Sequence, residues 1–458
     1  MSTSRRDFMK LMGAGAMLAP LATFYHRAAL GAPVFGPGFG PLSPALPLNS
    51  HDLISYALDG SVAFDLRGTP LMALPEGFHY RVISWTGQTM SDGTRVPGDH
   101  DGMAAFKGPQ GNTILVRNHE LRNREVKFGD NAGVAVPDHL KYDTWCNGGT
   151  TTLVLDEKGH LVSHFASIGG TNNNCAGGLT PWGTWLTCEE NVDLPTANNN
   201  YTQRHGYVFE VPADATGPVL AEPIVAMGRF NHEATATDPR TGIVYETEDR
   251  GDSCFYRYIP DVPGQLLTGG KLQALKLKDF PYADTKTGFL GMLHQPLACE
   301  WVDIDNVDPD TDSVRYEGQS KGAAKFSRGE GIWYGNGLVY FVCSNGGEIG
   351  KGQVWAYDPA AETAALVVES TDAGVLEAPD NMTVGPDGRL YMFEDGPGSN
   401  NIVGVNAQGE LFKVAENVFN GSEFAGGCFS HNGRFMFVNI QNPGLTLVIE
   451  GPWRKGQR

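Results

Sequence analysis

The sequence predicts an all-β fold, namely a six-bladed β-propeller with insertions between the blades. A short unit returns six times along the 458-residue chain: a polar residue, an apolar strand, a glycine turn, and a second apolar strand that ends in polar residues. Glycine accounts for 59 residues, about twice the usual share, and shows no collagen-like period. Helical periodicity is weak, so the chain is best interpreted as many short strands joined by turns.

The six units follow one another along the chain, and each is centred on a turn glycine. These glycines are Gly111, Gly183, Gly242, Gly337, Gly388 and Gly433. The strands predicted directly after them are Thr113–Val116, Thr184–Thr187, Ile243–Tyr245, Leu338–Val342, Arg389–Phe393 and Arg434–Val438. Because a hairpin returns the chain to its starting point, the two polar ends of each unit are expected to lie together.

The spacing of these glycines predicts the size of each unit. The intervals from Gly337 to Gly388 and from Gly388 to Gly433 match the about 40–50 residues of a four-stranded propeller blade. The interval between Gly242 and Gly337 is the widest and is expected to carry the largest insertion. A propeller lines its central channel with the first strand of each blade, so the six polar ends should open onto one face.

Ordinary turn chemistry is the alternative explanation for these polar ends, since Asp and Asn are common turn residues. For any single unit it is the stronger explanation, and it accounts well for Pro386–Gly388. It does not account for Glu189–Glu190, Glu248 or Glu330, because glutamate is a poor turn residue. Because all six units place polar residues at similar distances from the turn glycine, the pattern favours one shared site.

The first residues of the units are candidate metal ligands: Asp101, Cys175, Glu233, Glu330, Asp380–Asn381 and Gly426–Cys428. Carboxylate, amide and carbonyl oxygens suit hard cations such as calcium, whereas a thiolate suits iron or another transition metal. Clustered carboxylates repel one another unless cations neutralise them. The sequence predicts an asymmetric metal site, with a mainly structural sixth unit.

Two Asn-His-Glu triplets, Asn118–Glu120 and Asn231–Glu233, stand beside predicted strands. Their histidines are interpreted as structural residues and their glutamates as the better ligand candidates. Arg328 precedes Gly329 and Glu330, and its guanidinium could bind a phosphate through two hydrogen bonds. A surface arginine beside a tight turn is an equally good interpretation, and the same two interpretations apply to Arg250.

Composition excludes several functional classes. The formal net charge of −18 argues against nucleic acid or an anionic membrane as a partner. The sequence contains no nucleophile elbow, no P-loop and no dinucleotide fingerprint. The acidic run Asp303–Asp312 lacks the EF-hand pattern and is interpreted as a solvated loop. Since the chain has 7 cysteines, at least one is expected to be unpaired within the chain.

Residues 1–32 are predicted to be a twin-arginine (Tat) signal peptide, because Arg5–Arg6, Phe8 and Lys10 occupy the positions that such signals use. The apolar stretch Leu11–Leu21 is too short to span a membrane. A Pro/Gly-rich linker or arm is expected over residues 33–50, followed by a single propeller domain over residues 51–458. The protein is accordingly expected to use the Tat export machinery and to be periplasmic or secreted, without membrane association after cleavage.

The segment Asn173–Glu190 resembles the signature of the PhoX family of alkaline phosphatases. Shorter stretches at Tyr245–Arg250, Arg328–Trp333 and Pro379–Met382 resemble the same family. These matches cover most of the chain after the signal. They indicate a member that is shorter than the well-known members of the family. Missing insertions are expected to alter the walls of the substrate pocket rather than the ring of metal ligands.

The resemblance implies a propeller with axial iron and calcium ions that hydrolyses phosphate esters. By motif, it implies that the iron ligands are Cys175, Glu248 and Glu330. It extends the metal cluster to Glu120, Glu190, Glu233, Asp380 and Asn381. It also implies that Arg328, helped by Asn118, binds the phosphate.

We therefore expect an exported, monomeric, metal-dependent phosphoesterase that acts on a small phosphate ester. Two alternatives remain open. One is another metal-dependent propeller hydrolase, such as a lactonase, and the other is a non-catalytic propeller that binds calcium.

Overall fold

The computed structural model describes residues 38–56, 60–122, 133–406 and 409–453. The predicted signal peptide lies outside these described residues. Within them the chain forms short β-strands, one α-helix of seven residues and isolated 3₁₀ turns. None of the helices in these ranges is long and apolar enough to cross a membrane.

The strands are β1 Leu42–Ala45, β2 Ile54–Tyr56, β3 Val62–Asp65, β4 Met72–Pro75, β5 His79–Trp85, β6 His100–Lys107, β7 Thr113–His119, β8 Gly148–Leu155, β9 Leu161–Thr171, β10 Asn174–Leu179, β11 Thr184–Glu189, β12 Val208–Pro212, β13 His232–Thr237, β14 Val244–Glu248, β15 Tyr256–Pro260, β16 Gly270–Leu277, β17 Leu297–Asp303, β18 Gly329–Gly335, β19 Leu338–Cys343, β20 Gln353–Asp358, β21 Thr363–Glu369, β22 Pro379–Val384, β23 Leu390–Glu394, β24 Asn401–Val405, β25 Leu411–Asn417, β26 Phe424–Phe429, β27 Phe435–Ile440 and β28 Leu445–Glu450. Helix α1 is Val314–Ser320, and the 3₁₀ turns are Ser50–Asp52, Pro109–Gly111, Asp138–Leu140, Val225–Met227, Leu266–Thr268 and Leu290–Met292.

The predicted hairpins are present in the structure. They pair β6 with β7, β10 with β11, β13 with β14, β18 with β19, β22 with β23, and β26 with β27. All six predicted turn glycines have φ values between 67° and 88°, a region that glycine enters without a steric penalty. The hairpin prediction is therefore confirmed.

Further strands extend these hairpins into small sheets. Four-stranded sets are formed by β6–β9, β13–β16, β18–β21 and β22–β25, whereas β10–β12 has three strands. β26–β28 is completed by β5, which comes from the other end of the chain. β17 pairs with both β16 and β21 and so joins two sets into one sheet. β17 and α1 lie between Gly242 and Gly337, where the largest insertion was predicted.

The first strands of the hairpins form a closed ring. β6 packs against β10, and the contacts continue through β13, β18, β22 and β26 back to β6. Apolar side chains fill the space between neighbouring sheets, as where Met436 and Val438 pack with Phe393 and Ile402. The predicted all-β, propeller-like architecture is confirmed. All seven cysteines are buried and free.

The start of the described chain is incorporated into this architecture. β1 lies within the segment predicted as a linker or arm and pairs with β4. β4 in turn pairs with β25 at the edge of a four-stranded set. From residue 38 onward this segment therefore packs as an arm along the sheet.

Candidate metal centre

Each of the six hairpins departs from regular pairing near the start of its first strand. The register shifts lie between His100 and Met103, Asn174 and Gly177, His232 and Thr235, Gly329 and Ile332, Pro379 and Asn381, and Ala425 and Cys428. A β-bulge inserts an extra residue and re-aims side chains away from the regular alternation. Five of these irregularities contain the predicted first-position ligands Asp101, Cys175, Glu233, Glu330 and Asp380.

Glycines at the bulges allow neighbouring first strands to approach closely. A Cβ atom on Gly331 would lie 2.7 Å from the carbonyl oxygen of Asp380, and one on Gly102 would lie 2.9 Å from that of Cys175. Both contacts are with backbone atoms, so relieving them would require the strand itself to shift. The absence of a side chain at these positions thus permits the acidic strand ends to converge.

Two groups of potential ligand atoms result, and Glu233 belongs to both. The first group contains Cys175 Sγ and carboxylate oxygens of Glu190 and Glu233, and the second contains oxygens of Glu233, Glu330 and Asp380. Within each group the ligand atoms lie within 4.8 Å of one another. The structure therefore brings together five of the eight predicted metal ligands.

Burial and mutual repulsion disfavour negative charge on these side chains. Desolvation, followed by the charge of neighbouring carboxylates, raises the pKa of Glu233 and Glu330 well above the ordinary range. The same two causes raise the pKa of Asp380 to about 7. Burial also raises the pKa of the Cys175 thiol. Cations would reverse these effects, so a sulfur donor among clustered oxygens fits a metal centre.

A neighbouring set of polar residues continues the cluster towards the sixth hairpin. Gln441 Nε2 donates to Asp101 Oδ2 at 3.2 Å and to Glu120 Oε2 at 2.8 Å. Desolvation and nearby charge raise the pKa of Glu120 to about 7. Burial, and then repulsion from Asp380 and Asp101, raises the pKa of Glu423.

Glu423 and Gln441 were missed in the sequence, although both stand at the polar ends of the sixth unit. Glu423 directly precedes β26, and Gln441 directly follows β27. Their distances along the chain from Gly433 resemble the distances between the polar residues and the turn glycines of the other units. This spacing could have identified them. The residues predicted to be structural in the sixth unit do make supporting contacts, since the Gly426 N–H donates to Asn381 Oδ1 and Asn439 Nδ2 donates to the Asp101 carbonyl oxygen. Gln441 adds a contact with the acidic side chains that was not predicted.

Arg328 lies at the rim of the cluster, and its side chain is 44% exposed. Its Nε and Nη2 donate to the two carboxylate oxygens of Asp249 at 2.8 and 2.9 Å. Nη2 also lies 3.0 Å from Glu330 Oε1. Arg328 thus connects the third and fourth hairpins through a bidentate ion pair.

The structure does not bring Glu248 into either ligand group. Its carboxylate accepts a hydrogen bond from Tyr256 Oη at 2.8 Å and lies 3.2 Å from Arg315 Nη1. Successive side chains along an extended segment point in opposite directions, so Asp249 reaches the cluster whereas Glu248 turns away from it. The structure therefore contradicts the prediction that Glu248 is an iron ligand. Its carboxylate is instead one partner of a buried ion pair.

We expect Glu248→Gln to lower stability without reducing the metal content. The substitution removes one partner of the buried Arg315, but Asp312 Oδ1 remains 2.6 Å from that guanidinium. The cost should therefore be about 2 kcal/mol, below the ~3–5 kcal/mol of a fully broken buried pair. Urea unfolding and elemental analysis test this expectation. Loss of metal from the folded variant would return Glu248 to the ligand set.

Asn118 has no free group to offer a phosphate. Its Nδ2 donates to the carbonyl oxygens of Cys175 and Ala176 at 3.2 and 2.7 Å. Its Oδ1 accepts hydrogen bonds from Trp185 Nε1 at 2.8 Å and Thr187 Oγ1 at 2.9 Å. The side chain is fully buried. The predicted phosphate contact is therefore corrected, since Asn118 instead supports the bulge that carries Cys175.

Asn381 also has a supporting position. Its Nδ2 donates to Asp380 Oδ2 at 3.0 Å, and its Oδ1 accepts from the Gly426 backbone N–H at 3.1 Å. The histidines of the two triplets, His119 and His232, form hydrogen bonds with backbone carbonyls inside the fold. Their structural interpretation is confirmed.

Comparison with protein families identifies the family of this chain. The family model for alkaline phosphatase PhoX matches residues 60–164 and 158–444. The chain belongs to the PhoX alkaline phosphatase family. The resemblance carried by the motif around Cys175 is thereby confirmed.

Solved structures include a PhoX with a similar fold. PhoX from Pseudomonas fluorescens, in complex with the transition state analogue vanadate, gives a TM-score of 0.64 at 18% identity, covering 83% of this chain and 96% of that chain. A gluconolactonase from Xanthomonas campestris gives 0.44 at 13% identity, covering 92% and 99%. A catalytically inactive virginiamycin B lyase from Staphylococcus aureus gives 0.39 at 12%, covering 81% and 99%. No curated protein sequence gives a significant match.

Without metal, this PhoX family member should lose stability as the pH rises. The pKa values of Glu120 and Asp380 are each raised to about 7 by burial, from 4.5 and 3.8. Between these pKa values the folded chain binds more protons than the unfolded chain. The contribution of the two carboxyl groups to the free energy of unfolding is therefore fully present below about pH 4 and is lost as the pH rises to about 7.

Thermal unfolding of chelator-treated protein between these pH values measures the effect. Asp380→Asn should increasingly stabilise the metal-free chain relative to wild type as the pH rises, because it removes a charge that wild type must bury. A difference in Tm that stays constant with pH would contradict the expectation.

Proposed function

We propose that this protein is an exported, metal-dependent phosphoesterase that hydrolyses small phosphate monoesters. The observation that carries the proposal is Glu233, which belongs both to a group that contains Cys175 and to a group made only of carboxylates. Two adjacent cations of different character could share this residue. Membership of the PhoX family supports the assignment to phosphate-ester chemistry.

The two ligand groups suit different metals. Sulfur from Cys175 favours iron, whereas the all-oxygen group of Glu233, Glu330 and Asp380 also suits calcium. The iron-ligand role that the resemblance implies for Glu330 stays a prediction. When bound, such ions supply positive charge for an oxygen nucleophile and for the leaving group. The role of Glu233 in the proposal is to hold the two positions at a constant separation.

Arg328 is proposed to bind the substrate phosphate. Its guanidinium offers Asp249 the same planar pair of N–H donors that a phosphate prefers. A phosphate at the rim would compete with Asp249 for these donors, and the exposed side chain could turn towards it. Charge that develops on the phosphate oxygens in the transition state would then be neutralised.

The proposal extends to architecture and location. The closed ring of first strands supports a six-bladed propeller. The Arg5–Arg6 pattern supports Tat-dependent export to the periplasm or the medium. The net charge of −18 argues against nucleic acid as a partner. We also expect the protein to be a monomer.

Hydrolysis of p-nitrophenyl phosphate by purified protein supplied with iron and calcium tests the activity. We expect turnover by wild type and its loss in Cys175→Ala and in Glu330→Ala. Cys299→Ala is the matched control, because it removes a buried thiol from β17, outside both ligand groups. Wild-type activity no greater than that of Cys175→Ala would refute the proposal.

The same preparation distinguishes the alternatives. Hydrolysis of a lactone panel without phosphatase activity would indicate a lactonase. Bound calcium without iron and without turnover would indicate a structural, calcium-binding propeller.

A further inference from the structure

A third group of ligand-type side chains lies outside the two groups described above. Asp143, Cys146 and His205 place their ligand atoms within 4.8 Å of one another, and all three residues are buried. Asp143 and Cys146 lie in the segment before β8, and His205 lies before β12. The group therefore connects loops that belong to two different sheets.

The contact between His205 and Asp143 is longer than an N–H···O hydrogen bond, whereas the contact between His205 and Cys146 has the length of an N–H···S hydrogen bond. His205 Nε2 lies 3.5 Å from Asp143 Oδ2 and 3.6 Å from Cys146 Sγ. An N–H···O hydrogen bond spans about 2.7–3.2 Å. In a tetrahedral zinc site, metal–ligand bonds of about 2.0–2.3 Å separate nitrogen from oxygen by about 3.4 Å and nitrogen from sulfur by about 3.6 Å. The observed separations match that geometry.

The surroundings of His205 also resemble those of a metal ligand. Its Nδ1 lies 2.8 Å from Glu189 Oε1, and metal-binding histidines usually donate their second ring N–H to a carboxylate. The opposite oxygen of Glu189 accepts the backbone N–H of Gly206 at 2.8 Å. This support orients the imidazole so that Nε2 faces Asp143 and Cys146.

The position in the chain indicates what a cation would do there. The segment between β11 and β12 runs from Glu190 to Tyr207 without helix or strand. Segments of this length without helix or strand are uncommon in compact domains and are usually either functional or disordered. Glu190 begins this segment and contributes to the metal centre, whereas His205 lies near its end. A cation on His205 would attach the segment to the neighbouring sheet.

We propose that Asp143, Cys146 and His205 form a separate structural site for a zinc-type divalent cation that anchors the loop beginning at Glu190. Thiolate, imidazole and carboxylate together suit zinc, whereas calcium prefers oxygen donors alone. This site does not depend on the proposed phosphoesterase activity.

Cobalt(II) loading of the full-length protein tests the site, because thiolate-bound cobalt absorbs in the near ultraviolet. Cys175→Ala removes the thiol of the other centre and serves as the background. We expect Cys175→Ala to retain a thiolate–cobalt band at about one equivalent, and the band to disappear when Cys146→Ala is added. Absence of the band from Cys175→Ala, or its persistence without Cys146, would overturn the proposal.

Elemental analysis of the unmodified protein gives a second measurement that does not require the double variant to fold. Wild type should contain about one equivalent of zinc, and His205→Gln should lose it while retaining the metals of the other centre. Folding of each variant is checked by circular dichroism. A wild-type protein that binds no zinc when it is supplied would also overturn the proposal.

Discussion

Glu233→Gln is expected to abolish phosphate-ester hydrolysis, lowering kcat/KM by about 10³-fold or more. Glu233 contributes to both ligand groups, so one substitution weakens two cation positions at once. Removal of a single group that stabilises transition-state charge typically costs about 10²–10³-fold, and here two such contributions are affected. Glutamine preserves the volume of the side chain, so the loss would reflect charge and ligation.

Kinetics and elemental analysis of the same preparation test this prediction. Metal content should fall together with kcat/KM. Glu210→Gln is the matched control, because Glu210 lies on β12 and accepts hydrogen bonds from Trp182 and Thr184 at 2.6 Å, outside both ligand groups. Glu233→Gln with wild-type metal content and rate would disprove the shared-ligand model.

Arg328→Ala should lower kcat by about 10²–10³-fold while the metal content stays near that of wild type. Arg328 contacts Asp249 and Glu330 from the rim and is proposed to neutralise the phosphate in the transition state. Arg328→Lys should recover only part of the rate, because an ammonium group cannot reproduce the planar pair of N–H donors.

Arg250→Ala is the matched control for this effect. Arg250 lies on the same side of the third hairpin, but its guanidinium pairs with Asp312 and Asn231. Steady-state kinetics should show little change for this variant. A large loss in Arg250→Ala together with a normal rate in Arg328→Ala would transfer the phosphate contact to Arg250.

Local features of the fold could be predicted from the sequence because the causes are local. A glycine with positive φ between two apolar runs is sufficient to indicate a hairpin, and all six turns were found in this way. Which strands complete each sheet could not be predicted. β5 pairs with β28 across most of the chain, and β17 joins two sheets, because such pairings depend on distant partners.

The candidate site was predictable to a similar extent. Cys175, Glu233 and Glu330 were recognised because they stand first in their units, and the structure brings them into the two ligand groups. The iron-ligand role of Glu248 was implied by the family resemblance, and the structure instead pairs its carboxylate with Arg315. A motif does not show towards which neighbour a side chain points, because a step of one residue along a strand reverses that direction.

The sequence by itself determined that the chain forms six similar hairpins whose acidic ends lie on one side, since turn chemistry and apolar alternation act over a few residues. Only the tertiary structure decided which side chains converge. The bulges at Cys175 and Glu233 re-aim side chains, and the ring of first strands sets their separation. The ion pair of Glu248 and the contacts between Cys146 and His205 arise from packing between distant segments, which local sequence patterns do not encode.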